Sequence, residues 1–171
     1  TAKRLSAPLA EGGIDGTPVM FQFGYQFETS YLNQGGLQAL FEFIPVLTGL
    51  DQGQVIPSIN ILHGLRSKKS GFEFAFGPNF NVSKVAEGYY DEAGKWALFS
   101  EWKAANPTGV NPPDVFKRFD SRGQFELSSA FIFACGESFR SGKLNIPVNV
   151  FFIPNRAGHR FGLSIGFNGR G

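Results

Sequence analysis

The groups in this sequence able to do chemistry are His63, His159, Cys135 and several glutamates at strand-like spacing. An imidazole beside a serine and a carboxylate can activate the hydroxyl as a nucleophile. Ser70 near His63, and Ser164 near His159, stand at no spacing that marks such a nucleophile, and both histidines fall near strand ends, where a solvated or interfacial role is expected. Glu28 and Glu42 flank "YLNQGGL", and a turn centred on Gly35 sets them opposite each other on neighbouring strands. Facing carboxylates can share a proton, bind a cation or do acid–base work. In a filled interior they more often join a buried network with Arg or Lys. A turn at "KKS" likewise sets Arg66 against Glu73. A single cysteine excludes an internal disulfide and a cysteine zinc cluster, and Cys135, on an apolar face, reads as a small hydrophobe. The glycines of "GFEFAFG" and "GLSIGFNG" match no phosphate loop, because no helix follows them. No metal-ligand or nucleic-acid motif stands out. No catalytic residue, metal or cofactor is therefore expected, and the chain does not read as an enzyme.

The elements that position these groups are strands. Period-two alternation recurs along the chain. In "VMFQFGYQFETSY" the odd positions are apolar, and Gln22, Gln26 and Glu28 share the other side. "GFEFAFGPNFNV" sets Phe72, Phe74, Phe76 and Phe80 against Glu73 and Asn79. "RFGLSIGFN" sets Phe161, Leu163 and Ile165 against Arg160. "SSAFIFACG" and "KLNIPVNVFF" place Phe131, Phe133 and Val150 on an apolar face and Asn149 on the polar one. Turn signals separate these runs. They define eight strands at about 17–33, 36–49, 55–66, 71–90, 95–103, 124–140, 143–154 and 159–168, joined mostly by tight hairpins into an up-and-down meander. A two-residue Ser141-Gly142 turn pairs Arg140 with Lys143, Phe133 with Val150 and Phe131 with Phe152. Residues 1–16 read as an irregular arm, 17–168 as the strand domain and 169–171 as a tail. The segment 104–123, "AANPTGVNPPDVFKRFDSRG", reads as one long loop.

Composition decides which face points inward. The chain has 171 residues, net charge +2, 22 Gly, and 20 Phe beside 4 Tyr and 2 Trp. The balanced charge gives no reason to expect a nucleic-acid partner. No apolar run approaches the roughly 20 residues a membrane helix needs, and the mean hydropathy of −0.10 is unremarkable. Membrane barrels share both traits, because their strands alternate. A water-facing polar side is expected to carry Lys and Glu throughout. Here it is rich in Gly, Ala, Ser and amides, which suit the narrow interior of a small barrel. The expected lipid-facing residues are Phe72, Phe74, Phe76, Phe131, Phe133, Val150, Phe161, Leu163 and Ile165. The expected lumen-facing residues are Gln22, Gln26, Glu28, Glu42, Glu73, Asn79, Asn149 and Arg160. Trp96 and Trp102 fit interfacial girdles.

On "GFEFAFGPNFNV", "SSAFIFACG", "KLNIPVNVFF" and "RFGLSIGFNGRG", the chain resembles the small eight-stranded outer-membrane β-barrels of Gram-negative bacteria, the OmpA/OmpX-like class. That resemblance implies an all-β, antiparallel, up-and-down transmembrane barrel in the bacterial outer membrane, in contact with membrane lipid. It also implies a non-enzymatic role through exposed loops, or docking to a larger outer-membrane complex. In that class the last strand usually ends in an aromatic; here Asn168, Gly169, Arg170 and Gly171 follow Phe167. The chain starts at Thr1 and shows no signal-peptide pattern; a targeting segment, if there was one, is expected to have been removed or left out. Within 104–123, which this topology puts at the same end as the connections after strands one, three and seven, the expected partner-binding residues are Val115, Phe116, Lys117, Arg118, Phe119 and Arg122. They combine apolar anchors with a basic rim. Two alternatives carry different expectations. A lipid-modifying barrel enzyme would use His63 or His159, and a soluble lipocalin-like carrier would line an apolar pocket with the phenylalanines.

Overall fold

The structure, a computed structural model, describes residues 6–13, 15–141, 144–155 and 158–169. The arm residues 1–5, the turn residues 142–143 and the tail residues 170–171 lie outside the described residues. The described chain is all-β apart from one short helix and two 3₁₀ turns, and its strands form one antiparallel sheet. Gln22–Gly24 (β1) and Phe27–Gln34 (β2) both pair with Leu37–Thr48 (β3). Next come Ile56–Ser67 (β4) and Phe72–Tyr90 (β5), followed by the short strands Trp96–Leu98 (β6) and Phe116–Phe119 (β7). The chain finishes with Gln124–Ser141 (β8), Leu144–Ile153 (β9), Arg160–Ile165 (β10) and Asn168–Gly169 (β11). The strand order is β1-β3-β4-β5-β8-β9-β10.

Contacts divide the chain into two compact units. The strand unit holds 22–48, 57–81 and 129–171. Its sheet is strongly curled. Arg66 on β4 reaches across β3 to Glu28 on β2, and Arg160 on β10 reaches Asn79 on β5, three strands away in the order, across β8 and β9. Flat neighbours stand about 4.8 Å apart, so the second contact requires the sheet to bend toward its polar face. The small apolar core on that face is Leu62, Ala75, Ile132 and Ile153, with Ala39 and Leu40 also buried.

The alternation of β5 separates its faces. Glu73, Ala75, Gly77, Asn79 and Asn81 are buried, whereas Phe72, Phe74 and Phe76 are exposed. The other phase-determining residues follow: Phe131, Phe133, Val150, Phe161, Leu163 and Ile165 are all exposed, with Phe161 at 77 %. This inverts the arrangement of a water-soluble core, in which large apolar side chains are buried first.

Registers are specific where hairpins are tight. Arg66 pairs with Glu73 and Glu28 with Glu42, as the turns predict. The β2–β3 pairing depends on a bulge between Ser30 and Leu32. Gln34 pairs with Leu37, and an unbroken ladder from there would set Glu28 opposite Phe43; the extra residue, Tyr31, restores Glu28 to the polar face. The β8–β9 register differs from expectation. Ser141 pairs with Leu144, Arg140 with Asn145 and Phe133 with Phe152, so the register slides by two residues. A slide of two leaves every side chain on its face, because the strand period is two.

The second unit holds 1–21, 49–56 and 82–128. Two expectations fail here. The expected fifth strand, 95–103, is only Trp96–Leu98 in extended form and then becomes the helix Phe99–Ala105 (α1). The expected loop 104–123 contains β7, whose Phe119 and Phe116 pair with Val85 and Gly88 of β5. β7 and β8 are separated by Asp120–Gly123, and both pair with β5. The long passes then number seven among the described residues: β1/β2, β3, β4, β5, β7/β8, β9 and β10/β11. The connection between β5 and β7 also belongs to the unit that holds 49–56, the connection after β3. β6 and β7 pair with residues 85–90 of β5, the end of that strand away from the 68–71 turn, whereas the eight-strand count put 104–123 at the end of that turn.

Candidate functional site

On the polar face of the strand unit, β2, β3, β4 and β5 bring three carboxylates and one guanidinium together. Arg66 donates through Nη1 and Nη2 to the two oxygens of Glu28, at 2.5 and 2.6 Å, and through Nε to Glu73 Oε2 at 2.5 Å. Two hydrogen bonds from one planar fork fix both charge and orientation. Gln26 donates to Glu28 Oε2 at 3.4 Å. Glu42, on β3 between the strands of Glu28 and Arg66, is only 2 % exposed, yet its Oε1 has no hydrogen-bond partner. One carboxylate oxygen from each of Glu28, Glu42 and Glu73 lies within 4.8 Å of those of the other two. Gly64 makes room for Glu42: a Cβ there would stand 2.9 Å from Glu42 Oε1.

Farther along the same face runs a ladder of amides. Asn79 Nδ2 donates to Asn60 Oδ1 at 2.6 Å, across the directly paired positions of β4 and β5. Asn79 Oδ1 accepts from Asn81 Nδ2 at 3.4 Å and from Arg160 Nη2 at 3.3 Å. Asn149 sits half-buried opposite Gly136 and Ser164. Of the expected lumen-facing set, Glu42, Glu73 and Asn79 are buried and Asn149 and Arg160 half-buried, whereas Gln22, Gln26 and Glu28 are exposed. The inward phase of Asn60 and Asn81, opposite to that of their apolar neighbours, was legible in the sequence; the link from Arg66 to Glu28 was not, because it crosses a strand.

The second unit has its own knot. Asp120, fully buried, accepts from Trp96 Nε1 at 2.9 Å and from Arg122 through Nε at 3.0 Å, Nη2 at 2.9 Å and backbone N–H at 3.0 Å. Arg122 Nη1 also donates to Ala10 O at 2.9 Å, tying the N-terminal segment down. Gly12 is obligatory there: it has φ +82, and a Cβ would fall 2.1 Å from Asp120 Oδ2. Burial pushes the Asp120 pKa up, but the Arg122 and Trp96 hydrogen bonds outweigh it and hold the carboxyl below its ordinary 3.8. The same bond raises the Arg122 pKa.

This knot revises the expected partner surface. Arg122 is engaged with Asp120, and Arg118 stacks over the Trp96 ring at 4.0 Å. Phe119 is half-buried, and Lys117 pairs with Glu126 at 3.2 Å in an exposed bridge of small energetic value. Val115 and Phe116 remain exposed, at 40 % and 51 %. Trp96 is buried against Asp120 rather than interfacial, and Trp102 stacks on Phe99 at 5.5 Å. The histidines sit among aromatics on the apolar face: His63 beside Phe41 at 5.5 Å and Tyr31 at 6.2 Å, and His159 beside Phe152 at 5.5 Å. His63 lies within β4, opposite Phe76, rather than at its end.

Comparison of the chain with family models, curated proteins and solved structures finds no match. The class that the fold itself defines is an all-β protein built on a strongly curled antiparallel sheet with a charged inner face.

Proposed function

We propose that this chain is a non-enzymatic transmembrane β-barrel of the bacterial outer membrane, related in architecture to the OmpA/OmpX-like class. Its strand unit spans the bilayer, and it works by docking to another membrane protein through the second unit. One observation carries the reading: on β5 the phenylalanines are exposed while Glu73, Asn79 and Asn81 are buried. In water that arrangement leaves a contiguous apolar surface far larger than a soluble monomer tolerates. In lipid the same surface is satisfied, and the strands' polar groups pair within the sheet. The carrier alternative requires the phenylalanines to line a pocket, and they face outward instead.

The decisive experiment is fractionation followed by detergent removal. The protein is expected with outer membranes and to aggregate once detergent is withdrawn; a monodisperse detergent-free monomer would overturn the reading. Docking is narrowed to the exposed stretch around Val110, Val115 and Phe116. Replacing 107–115 by a Gly/Ser linker together with Phe116→Ser removes that stretch and leaves the backbone of β7 and the Asp120 knot in place. It is expected to leave the strands folded and to abolish co-purification of partner membrane proteins; retained partners would reject this surface.

A further inference from the structure

We propose that Glu28, Glu42 and Glu73 form a site for one hard divalent cation of the Ca²⁺ class on the polar face of the strand unit. Three observations converge on it. Glu28 and Glu42 are direct cross-strand partners, a like-charged pairing that is destabilising unless something bridges it. Three carboxylates face one guanidinium, Arg66, so with all three ionised a divalent ion supplies the two positive charges that Arg66 does not. Arg160 cannot balance them: it bonds Asn79, six residues along β5 from Glu73, or about 20 Å away. Independently, Glu42 is 2 % exposed with Oε1 unpartnered, and a buried carboxylate oxygen lacking any donor is the place where a cation belongs.

The donors select the ion. All three are carboxylate oxygens, which suit hard cations. The histidine and cysteine side chains of the strand unit lie in the other phase, on the apolar face, so nitrogen and sulfur donors do not join the cluster. The oxygens stand within 4.8 Å of one another. Opposite ligands of Ca²⁺ lie about 4.6–5.2 Å apart, twice its bond length, whereas those of Mg²⁺ lie about 4.0–4.2 Å apart. The side chain of Glu28, 25 % exposed beside the buried Glu73 and Glu42, supplies the entry path. The site depends only on register and burial, and stands or falls separately from the membrane reading.

The test is titration of the chelator-treated full chain with CaCl₂, in detergent or buffer, whichever keeps it dispersed, followed by calorimetry and thermal unfolding. The wild type is expected to bind one Ca²⁺ per chain, to gain Tm with it, and to bind Mg²⁺ more weakly. Glu42→Gln should weaken binding roughly tenfold or more, as removal of one ligand charge does. Gly64→Ala provides a second probe that removes no charge. Its Cβ would press Glu42 Oε1 at 2.9 Å, while its other neighbours, at 3.5 and 3.6 Å, are ordinary contacts. It too should lower Ca²⁺ affinity. Glu126→Gln, in the exposed bridge of the second unit, should leave binding unchanged. A folded wild type without saturable Ca²⁺ uptake overturns the proposal. So does uptake that Glu42→Gln and Gly64→Ala leave intact, or equal affinity for Mg²⁺.

Discussion

Asp120 is a residue whose charge is kept in a fully buried place by what surrounds it. Its four hydrogen bonds from Arg122 and Trp96 replace the water it loses, and hydrogen bonds to a charged group are worth about 1.5–3 kcal/mol each to stability. Asp120→Asn should therefore destabilise the second unit by about 1.5–3 kcal/mol or more, read as denaturant unfolding followed by Trp96 fluorescence in a Trp102→Phe background. The pH dependence has a fixed sign. The folded pKa of Asp120 lies below its ordinary 3.8, so its contribution is complete above that value and is lost as pH falls through the folded pKa. Stability of this unit should be flat from pH 7 to about 5 and decline below about 4. Asp120→Asn should remove that acid-dependent fall; an equal fall in both proteins would mean other carboxylates carry it. Nothing in the sequence marked this residue, because "RFDSRG" looks like any polar turn and the partner Trp96 is distant in the chain.

At the scale of elements, faces were legible and boundaries were not. Period two assigned Phe72, Phe74 and Phe76 to one side of β5 and Glu73 and Asn79 to the other, and the structure keeps that division. It predicts unequal tolerance. Phe74→Arg should cost about 2–4 kcal/mol if the side chain faces the bilayer midplane. Asn79→Ala, which strips partners from Asn60, Asn81 and Arg160, should cost about 1–3 kcal/mol. Folding titrations into bilayers measure both, and equal tolerance of Arg at 74 and 79 would contradict the faces. Turn chemistry located the hairpins but missed the slide of two at β8–β9, because a period-two pattern fits both registers equally. "KWALFSEWK" misled for a different reason. Its short apolar run fits a strand, while the helix places Phe99 and Trp102 three residues apart and stacks their rings. β7 was hidden by the prolines upstream of it. The bulge at Tyr31 gives the sharpest test of register: deleting Tyr31 joins Ser30 directly to Leu32, so the ladder runs unbroken with Glu28 still opposite Glu42, and the β2–β3 hairpin is expected to fold with native β-sheet circular dichroism. Loss of that signal on deletion would show that the extra residue does more than set the register.

The strand unit as a whole poses a problem of edges. β1/β2 and β10/β11 end the strand order, and among the described residues neither edge has a further partner. In lipid an open edge leaves backbone groups without water, so a spanning sheet has to close. Seven passes in an antiparallel sheet give the first and last the same direction, so closure within one chain joins them in parallel. Single-chain bacterial barrels ordinarily use an even number. An additional strand, from this chain or from a second copy, would make every pair antiparallel. Conductance separates these arrangements. A single closed chain has an interior occupied by Leu40, Leu62, Ile132, Glu42, Glu73 and Asn79, all buried. A barrel of about eight strands leaves room only for such side chains. Planar-bilayer recordings of the purified protein are therefore expected to show little or no steady current. Large, stable channels would mean that the edges pair between chains and enclose a wider lumen. In that case the buried carboxylates would line a water-filled path rather than fill a plug, and the current would be cation-selective, because Glu28, Glu42 and Glu73 outnumber Arg66 on that face.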